Sequence, residues 1–115
     1  MNEELIPHPN ATFIVRARGD SMVGSGIYPG DLLIVDRSIK PQNESIIIAV
    51  LDGELSVKIL RLKNKQVNLS SSNKNYADVP VSEEMDFTIW GVCTNVIHNL
   101  SCLLYTSDAA DETEG

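Results

Sequence analysis

Short apolar segments separated by turn-forming residues are the feature of this sequence that most restricts its fold. Asp52-Gly53 lies between two such segments, and Gly adopts the positive φ of a two-residue type I′ hairpin turn without strain. No stretch sustains the 3.6-residue apolar period of an amphipathic helix. The pattern therefore predicts an all-β single compact domain of curled antiparallel sheets, arranged as a barrel or a sandwich.

The predicted strands number about six, and each is bounded by Gly, Pro, Asn, Asp or Ser. They cover residues 13–17, 32–35, 45–51, 54–62, 66–69 and 88–97. Gly91 lies inside the last strand and indicates a bulge. Asn64-Lys65 is predicted to form a second tight turn, whereas residues 79–87 are predicted to be irregular.

The chain of 115 residues is predicted to have three parts. Residues 1–12 form an extended arm, residues 13–100 form the domain, and residues 101–115 form a tail. No apolar run approaches the roughly 18 residues of a membrane span. Acidic residues near the start replace the basic region of a signal peptide. These observations predict a cytoplasmic location and no membrane contact.

The net charge of −7 argues against direct binding of nucleic acid through bulk electrostatics. Part of that charge is local, because residues 101–115 contain four acidic residues and no basic one. The two cysteines, Cys93 and Cys102, form no metal-binding spacing, and a cytoplasmic protein is not expected to link them in a disulfide. No metal or cofactor is predicted.

Ser21 and Lys58 are the candidate catalytic residues. Ser21 lies in a tight, Gly-led stretch, and a serine hydroxyl needs a neighbouring base to act as a nucleophile. Lys58 lies in a predicted strand and shares its face with Ser56, Leu60 and Leu62. Burial on that mostly apolar face would favour the neutral amine, which can act as a base. A turn serine and an exposed strand lysine are the alternative interpretation of the same residues.

Seven short motifs follow one another along residues 5–100. They are His8-Pro9, Ala11-Thr12-Phe13, Gly19-Asp20-Ser21-Met22, Gly30-Asp31-Leu32-Leu33-Ile34-Val35-Asp36, Asp52-Gly53-Glu54, Val57-Lys58 and Trp90-Gly91-Val92. Together they resemble the carboxy-terminal domain of the LexA/UmuD peptidase family. The serine and the lysine, 37 positions apart, are the most specific part of the resemblance. The His-Pro and Trp-Gly-Val motifs favour the UmuD branch over LexA.

The resemblance implies a role for each site residue. Ser21 would be the nucleophile, and Lys58, held neutral, would accept its proton and later protonate the leaving amine. Backbone N–H groups of Ser21 and Met22 would stabilise the oxyanion. The Met22 side chain is expected in the core. Asp20 is expected to be a turn carboxylate that accepts backbone hydrogen bonds.

The resemblance also implies a function. A UmuD-like protein is a homodimeric subunit of an error-prone translesion DNA polymerase in the SOS response to DNA damage. It joins a UmuC-type polymerase subunit, and a RecA filament on single-stranded DNA stimulates its self-cleavage. The alternative within the family is the self-cleavage and dimerisation domain of a LexA-like or phage-type repressor. Two further hypotheses are a membrane signal peptidase, which also uses a serine and a lysine, and an interaction module in which the Ser21–Lys58 pair (the dyad) no longer acts in catalysis.

Two features of the sequence depart from the family pattern. The family cuts an Ala-Gly or Cys-Gly bond in an arm before the domain, and neither pair occurs in residues 1–115. The chain is therefore expected to be a processed form or a fragment. Residues 102–115 resemble the translation of a sequencing adaptor and are predicted to be non-native and disordered. The alternative for this segment is an ordinary acidic tail.

Overall fold

One antiparallel sheet of seven strands contains all the strands of residues 8–98, the part of the chain that the computed structural model describes. The strands are β1 (Thr12–Arg16), β2 (Leu32–Asp36), β3 (Ile46–Leu51), β4 (Glu54–Lys63), β5 (Gln66–Ser70), β6 (Val79–Pro80) and β7 (Phe87–Ile97). Their order across the sheet is β1-β2-β7-β3-β4-β5-β6. Two 3-10 turns, Pro9–Ala11 and Val23–Ser25, are the helical elements of this region. The predicted all-β class is confirmed.

The strand count differs from the prediction. The seventh strand, β6, is a two-residue strand within the stretch predicted to be irregular, and it pairs with β5. All seven strands belong to one continuous sheet, because β7 pairs with β2 on one side and with β3 on the other.

The predicted tail and most of the predicted arm lie outside the described residues. Within residues 8–98, no helix is long and apolar enough to cross a membrane.

The bulge predicted near Gly91 occurs at its neighbour. Ile48 pairs with Gly91 and Ala49 pairs with Ile89, so Trp90 is the extra residue in β7. Gly91 itself is required by close packing, since an added Cβ would lie 2.5 Å from the Val35 side chain. The glycine thus lets β7 approach β2, and the bulge increases the local twist of the sheet.

Buried apolar side chains lie on both faces of the sheet around its central strand β3. This strand is apolar along its whole length, and its side chains are covered on both sides. The first cluster contains Ala17, Met22, Ile27, Leu33, Val35, Ile48 and Ile59. The second cluster, on the opposite face of β3, contains Ile47, Ala49, Leu60, Leu69 and Val92. The stretch between β1 and β2 contributes Met22 and Ile27 to the first cluster, which fixes the position of Ser21.

Two tight turns join β3 to β4 and β4 to β5. Asp52 and Gly53 have φ values of 51° and 85°, and Asn64 and Lys65 have φ values of 52° and 67°. Positive φ at both central residues defines the type I′ hairpin turn, whose twist matches that of the strands. The predicted type I′ turn at Asp52-Gly53 is confirmed. The second turn has the same conformation but places a lysine where glycine is favoured.

Substitutions at the equivalent positions of the two turns should have opposite effects. Gly53→Ala is expected to lower the free energy of unfolding by about 1 kcal/mol, because a Cβ is strained at positive φ. Lys65→Gly is expected to raise it by about 0.5 kcal/mol, because relief of strain exceeds the added entropy of the unfolded chain. Urea denaturation measures both values. Changes of the same sign would contradict this account.

A buried carboxylate connects the residues before β1 to the end of β2. Asp36 is 1% exposed and accepts hydrogen bonds from the backbone N–H and hydroxyl of Ser38, at 2.8 and 2.6 Å. The Nδ1 atom of His8 lies 2.7 Å from its other oxygen. The Ser38 hydroxyl first, and His8 second, lower the pKa of Asp36 below its ordinary value of 3.8. His98 makes an equivalent contact, at 2.7 Å, with the buried Asp31 before β2.

The lowered pKa of Asp36 predicts an acid-sensitive contribution to stability. Because the folded state binds this proton more weakly than the unfolded state, the contribution is present above the unfolded pKa. It is lost as the pH falls from about 5 towards 2. Urea denaturation across this range should show a smaller acid-dependent loss in Asp36→Asn than in the wild type. The exposed Asp78→Asn is the control, and an Asp36→Asn curve parallel to the wild-type curve would contradict the assignment.

Candidate active site

Ser21 lies in the turn that leaves β1, and two neighbours hold it there. Gly19 has a φ of 72°, which reverses the chain after the strand and favours glycine. Met22 is 3% exposed and packs in the first cluster, as predicted. The 3-10 turn Val23–Ser25 follows and ends at Gly26. Ser21 is therefore half-buried on a turn that is anchored by the core.

A cavity of about 320 Å³ lies beside this serine. Its walls are mainly apolar, and Ser21 contributes to them together with residues 55–57 of β4. The remaining lining residues are Val15, Arg16, Ala17, Arg18, Gly19, Met22, Ile27 and Ile48. A mainly apolar cavity with two serine side chains, Ser21 and Ser56, in its wall is suited to binding a short segment of peptide.

The part of β4 that borders the cavity has one free edge. Residues 54–59 pair with β3, whereas β5 pairs only with residues 59–63. In the described part of the chain, no strand pairs with the outer edge of residues 54–58. A free strand edge presents unpaired backbone groups that an extended peptide can bind by adding a strand. The cavity and this edge together form a groove next to Ser21.

Lys58 lies on β4, and its amine is directed to polar and aromatic partners. Its Nζ donates a hydrogen bond of 2.9 Å to the Ser71 hydroxyl and lies 5.8 Å from the centre of the Tyr76 ring. Among residues 8–98, no hydrogen bond joins Lys58 to Ser21. The expected apolar burial of the amine is only partial, because Leu60 on this face is buried but Leu62 is 44% exposed. The pairing of Ser21 with Lys58 remains a prediction.

Residues 71–76, here called the bridging loop, contact Lys58 directly and also contact residues on either side of Ser21 in the chain. The carbonyl oxygen of Ser72 accepts a hydrogen bond of 2.8 Å from the Gly24 N–H. The Asn73 side-chain amide donates to the Asp20 carbonyl oxygen at 2.9 Å. A Cβ at Gly24 would overlap the Ser72 carbonyl group, so glycine permits this close approach. The bridging loop thus docks on the Ser21 turn while Ser71 binds Lys58.

The Asp20 carboxylate has a side-chain partner in place of the predicted backbone donors. The Tyr76 hydroxyl donates a hydrogen bond of 2.6 Å to Asp20 Oδ1. This hydrogen bond, followed by the negative charge of Asp20, raises the pKa of Tyr76 above its ordinary value. No backbone N–H of residues 8–98 donates to this carboxylate, so the expectation of backbone donors is wrong. The partner is 56 positions away, and nothing in the local sequence around Asp20 indicated it.

The backbone N–H groups of Ser21 and Met22 have no acceptor within the described residues, although the neighbouring N–H of Val23 donates to the Asp20 carbonyl oxygen at 3.4 Å. Free N–H groups at a turn are the donors that an oxyanion hole requires.

Cys93 is free and half-buried, and burial raises the pKa of its thiol. Cys102 lies outside the described residues. No cluster of three possible metal ligands occurs in residues 8–98.

Comparison with known proteins identifies the family to which this chain belongs. The family model for Peptidase S24-like proteins matches residues 1–94, so the chain belongs to the Peptidase S24-like family. The chain is 42% identical over 106 residues to the protein ImpA of Salmonella typhimurium. It is 43% identical over 98 residues to the protein SamA of Salmonella typhimurium strain LT2. It is also 37% identical over 95 residues to the LexA repressor of Shewanella sp. strain ANA-3.

The predicted membership of the LexA/UmuD family, close to UmuD, is confirmed by these similarities. The alignment with ImpA covers 85% of this chain and 66% of that protein, and the alignment with SamA covers 85% and 67%. The alignment with LexA covers 80% of this chain and 45% of the repressor. The chain therefore spans about two thirds of ImpA and SamA, and less than half of LexA.

Proposed function

We propose that this chain is a UmuD-like subunit of an error-prone translesion DNA polymerase that acts in the SOS response, in the cytoplasm. In this proposal it carries a self-cleaving peptidase site with Ser21 as nucleophile and Lys58 as base. Membership of the Peptidase S24-like family supports the peptidase chemistry. The single observation that carries the assignment of the site is the half-buried Ser21 in the wall of a cavity bordered by a free strand edge.

The chemistry follows the general scheme of a serine with an adjacent base. Ser21 Oγ attacks the carbonyl carbon of the scissile bond while its proton passes to the Lys58 amine. The N–H groups of Ser21 and Met22 donate to the oxyanion of the tetrahedral intermediate. The ammonium of Lys58 then protonates the leaving amine. Water hydrolyses the resulting ester and regenerates Ser21.

The substrate would be an extended arm with a small residue before Gly. Backbone hydrogen bonds to the free edge of β4 would hold such a segment in register. The apolar walls beside Ser21 would take a small side chain, and Gly would let the backbone pass close to the turn. The arm can belong to another molecule, since the groove is open at the edge of the sheet.

Cleavage in trans tests this proposal. The chain is mixed with a UmuD-type arm peptide that contains a Cys-Gly or Ala-Gly bond, between pH 7 and 10, and the products are identified by mass spectrometry. Cleavage at that bond by general base catalysis is expected. No cleavage by the folded chain at any pH would reject the peptidase part of the proposal.

The proposed partners are a second copy of the chain, a UmuC-type polymerase subunit and a RecA filament on single-stranded DNA. Direct contact with DNA is not proposed, because the chain has a net charge of −7. Co-purification with a UmuC-type subunit, compared with a LexA carboxy-terminal domain as the negative control, tests the partner. Equal recovery of the two proteins would reject a specific polymerase contact.

A repressor domain is the second candidate function. The 37% identity to a LexA repressor favours it, and this chain covers less than half of that repressor. The two candidates share the fold and the dyad, so the upstream coding sequence separates them. A short arm before residue 1 favours the polymerase subunit, whereas a DNA-binding helix-turn-helix domain favours the repressor.

A further inference from the structure

The bridging loop gives the Lys58 amine two partners that the proposed chemistry does not use. The Ser71 hydroxyl accepts its hydrogen bond at 2.9 Å, and the ring of Tyr76 lies 5.8 Å from its nitrogen. A hydroxyl acceptor and an aromatic face are both favourable partners of an ammonium group. Ser21, by contrast, has no hydrogen bond to this amine among residues 8–98. The described conformation therefore directs Lys58 to the bridging loop.

We propose that Ser71 and Tyr76 form a resting site for the Lys58 amine, and that the amine must leave it before it can accept the proton of Ser21. Ser71 and Tyr76 are then positioning residues that restrain cleavage. This inference rests on the proposed function, because it concerns the base of that same site. The only bond changes in the step are the loss of the Ser21 O–H bond and the gain of an N–H bond on Lys58.

The bridging loop can coordinate this release because it also holds the Ser21 turn. The Tyr76 hydroxyl donates to Asp20 at 2.6 Å, and the Asn73 amide donates to the carbonyl oxygen of the same residue. A peptide that enters the cavity would pass Gly19 and Ser21, which flank the Asp20 that the loop holds. Displacement of the loop would then free Lys58 and open the turn in one movement. The loop would act as a brake on cleavage that is released after the arm has bound.

Ser71 and Tyr76 can be substituted one at a time. These variants distinguish the loss of a contact with the Lys58 amine from the loss of the contact between the loop and Asp20. Ser71→Ala removes the acceptor of the Lys58 hydrogen bond, whereas Ser71→Thr keeps a hydroxyl at the same position. Tyr76→Leu removes the aromatic face and the hydroxyl. Tyr76→Phe keeps the ring and removes only the hydrogen bond to Asp20. Ser82→Ala is the control, because it makes the same serine-to-alanine change at an exposed position outside the bridging loop.

The kinetic test measures kcat and KM for the arm peptide at one pH. Ser71→Ala is expected to raise kcat about three- to tenfold, the effect of losing one intramolecular hydrogen bond, with KM unchanged. Ser71→Thr should remain near the wild type, and Tyr76→Leu should raise kcat more than Tyr76→Phe does. An unchanged or lower kcat in Ser71→Ala would overturn the inference, since a productive positioning role predicts a loss.

A second measurement does not depend on cleavage. Reductive methylation of the folded protein, followed by mass spectrometry, gives the rate at which Lys58 reacts relative to the exposed Lys63 on the same strand. Ser71→Ala is expected to raise that ratio about threefold or more, because the amine loses its partner. An unchanged ratio would reject the resting site. A raised ratio without any cleavage would support the resting site and reject the proposed peptidase function.

Discussion

Ser21→Ala is expected to abolish cleavage of the arm peptide, with a fall in rate of at least about a thousandfold. The alanine side chain cannot form the ester through which the proposed reaction proceeds. Lys58→Ala should cause a loss of similar size, because a serine hydroxyl without a base is a weak nucleophile. The double variant should be no slower than either single one, since the two residues act as a unit. Rates are measured with the trans assay at pH 9.

Matched controls show whether the losses are specific. Ser82→Ala and Lys63→Ala make the same changes at exposed positions, and Lys63 lies at the end of the same strand as Lys58. Both should cleave at the wild-type rate. Circular dichroism and urea denaturation establish that the inactive variants are folded. A folded Ser21→Ala variant that still cleaves would exclude Ser21 as the nucleophile and would direct the search to another residue of the groove.

Ile48→Ala is expected to lower the free energy of unfolding by about 3 kcal/mol, the largest predicted effect on stability. Ile48 has no exposed surface, packs in the first cluster and lines the cavity beside Ser21. Removing its outer carbons loses buried apolar area and leaves a space that the surrounding strands of the sheet can fill only in part. Urea denaturation at neutral pH measures the change.

Ile14→Ala is the matched control, because it makes the same substitution in a strand of the same sheet at a side chain that is 57% exposed. Its cost is expected to stay below about 1 kcal/mol, since little apolar area is lost. Equal losses in the two variants would contradict the assignment of Ile48 to the core. Cleavage by Ile48→Ala, measured where it remains fully folded, then reports on the shape of the cavity.

Much of the strand pattern could be predicted because its causes are local. The type I′ turn at Asp52-Gly53 follows from the positive φ that glycine allows, and it aligns β3 with β4 without a register shift. The apolar run 45–51 predicted a strand, and the structure shows that this strand, β3, is buried on both faces. Prediction failed for β6, because a two-residue strand that contains Pro80 has no periodicity and exists only through its pairing with β5.

The candidate site was only half predictable. The motifs around Ser21 and Lys58 identified both residues through family resemblance, and their catalytic roles remain predictions. The partner of Lys58 could not be found in the same way, because Ser71 belongs to a polar stretch with the composition of any surface loop. The docking of that loop also depends on Gly24, where the absence of a side chain allows close approach to Ser72. Such a contact depends on the path of two irregular segments.

The sequence by itself therefore determined the all-β class, the two hairpin turns, the family and the identity of the two candidate residues, since each of these depends on neighbouring residues or on a motif. Only the tertiary structure decided that β7 pairs on both sides to form one sheet, that the amine of Lys58 binds Ser71 and that Tyr76 binds Asp20. The physical reason is that these contacts join side chains and backbone groups far apart along the chain. Their geometry is set by bulges, close backbone packing and loop paths that no local preference specifies.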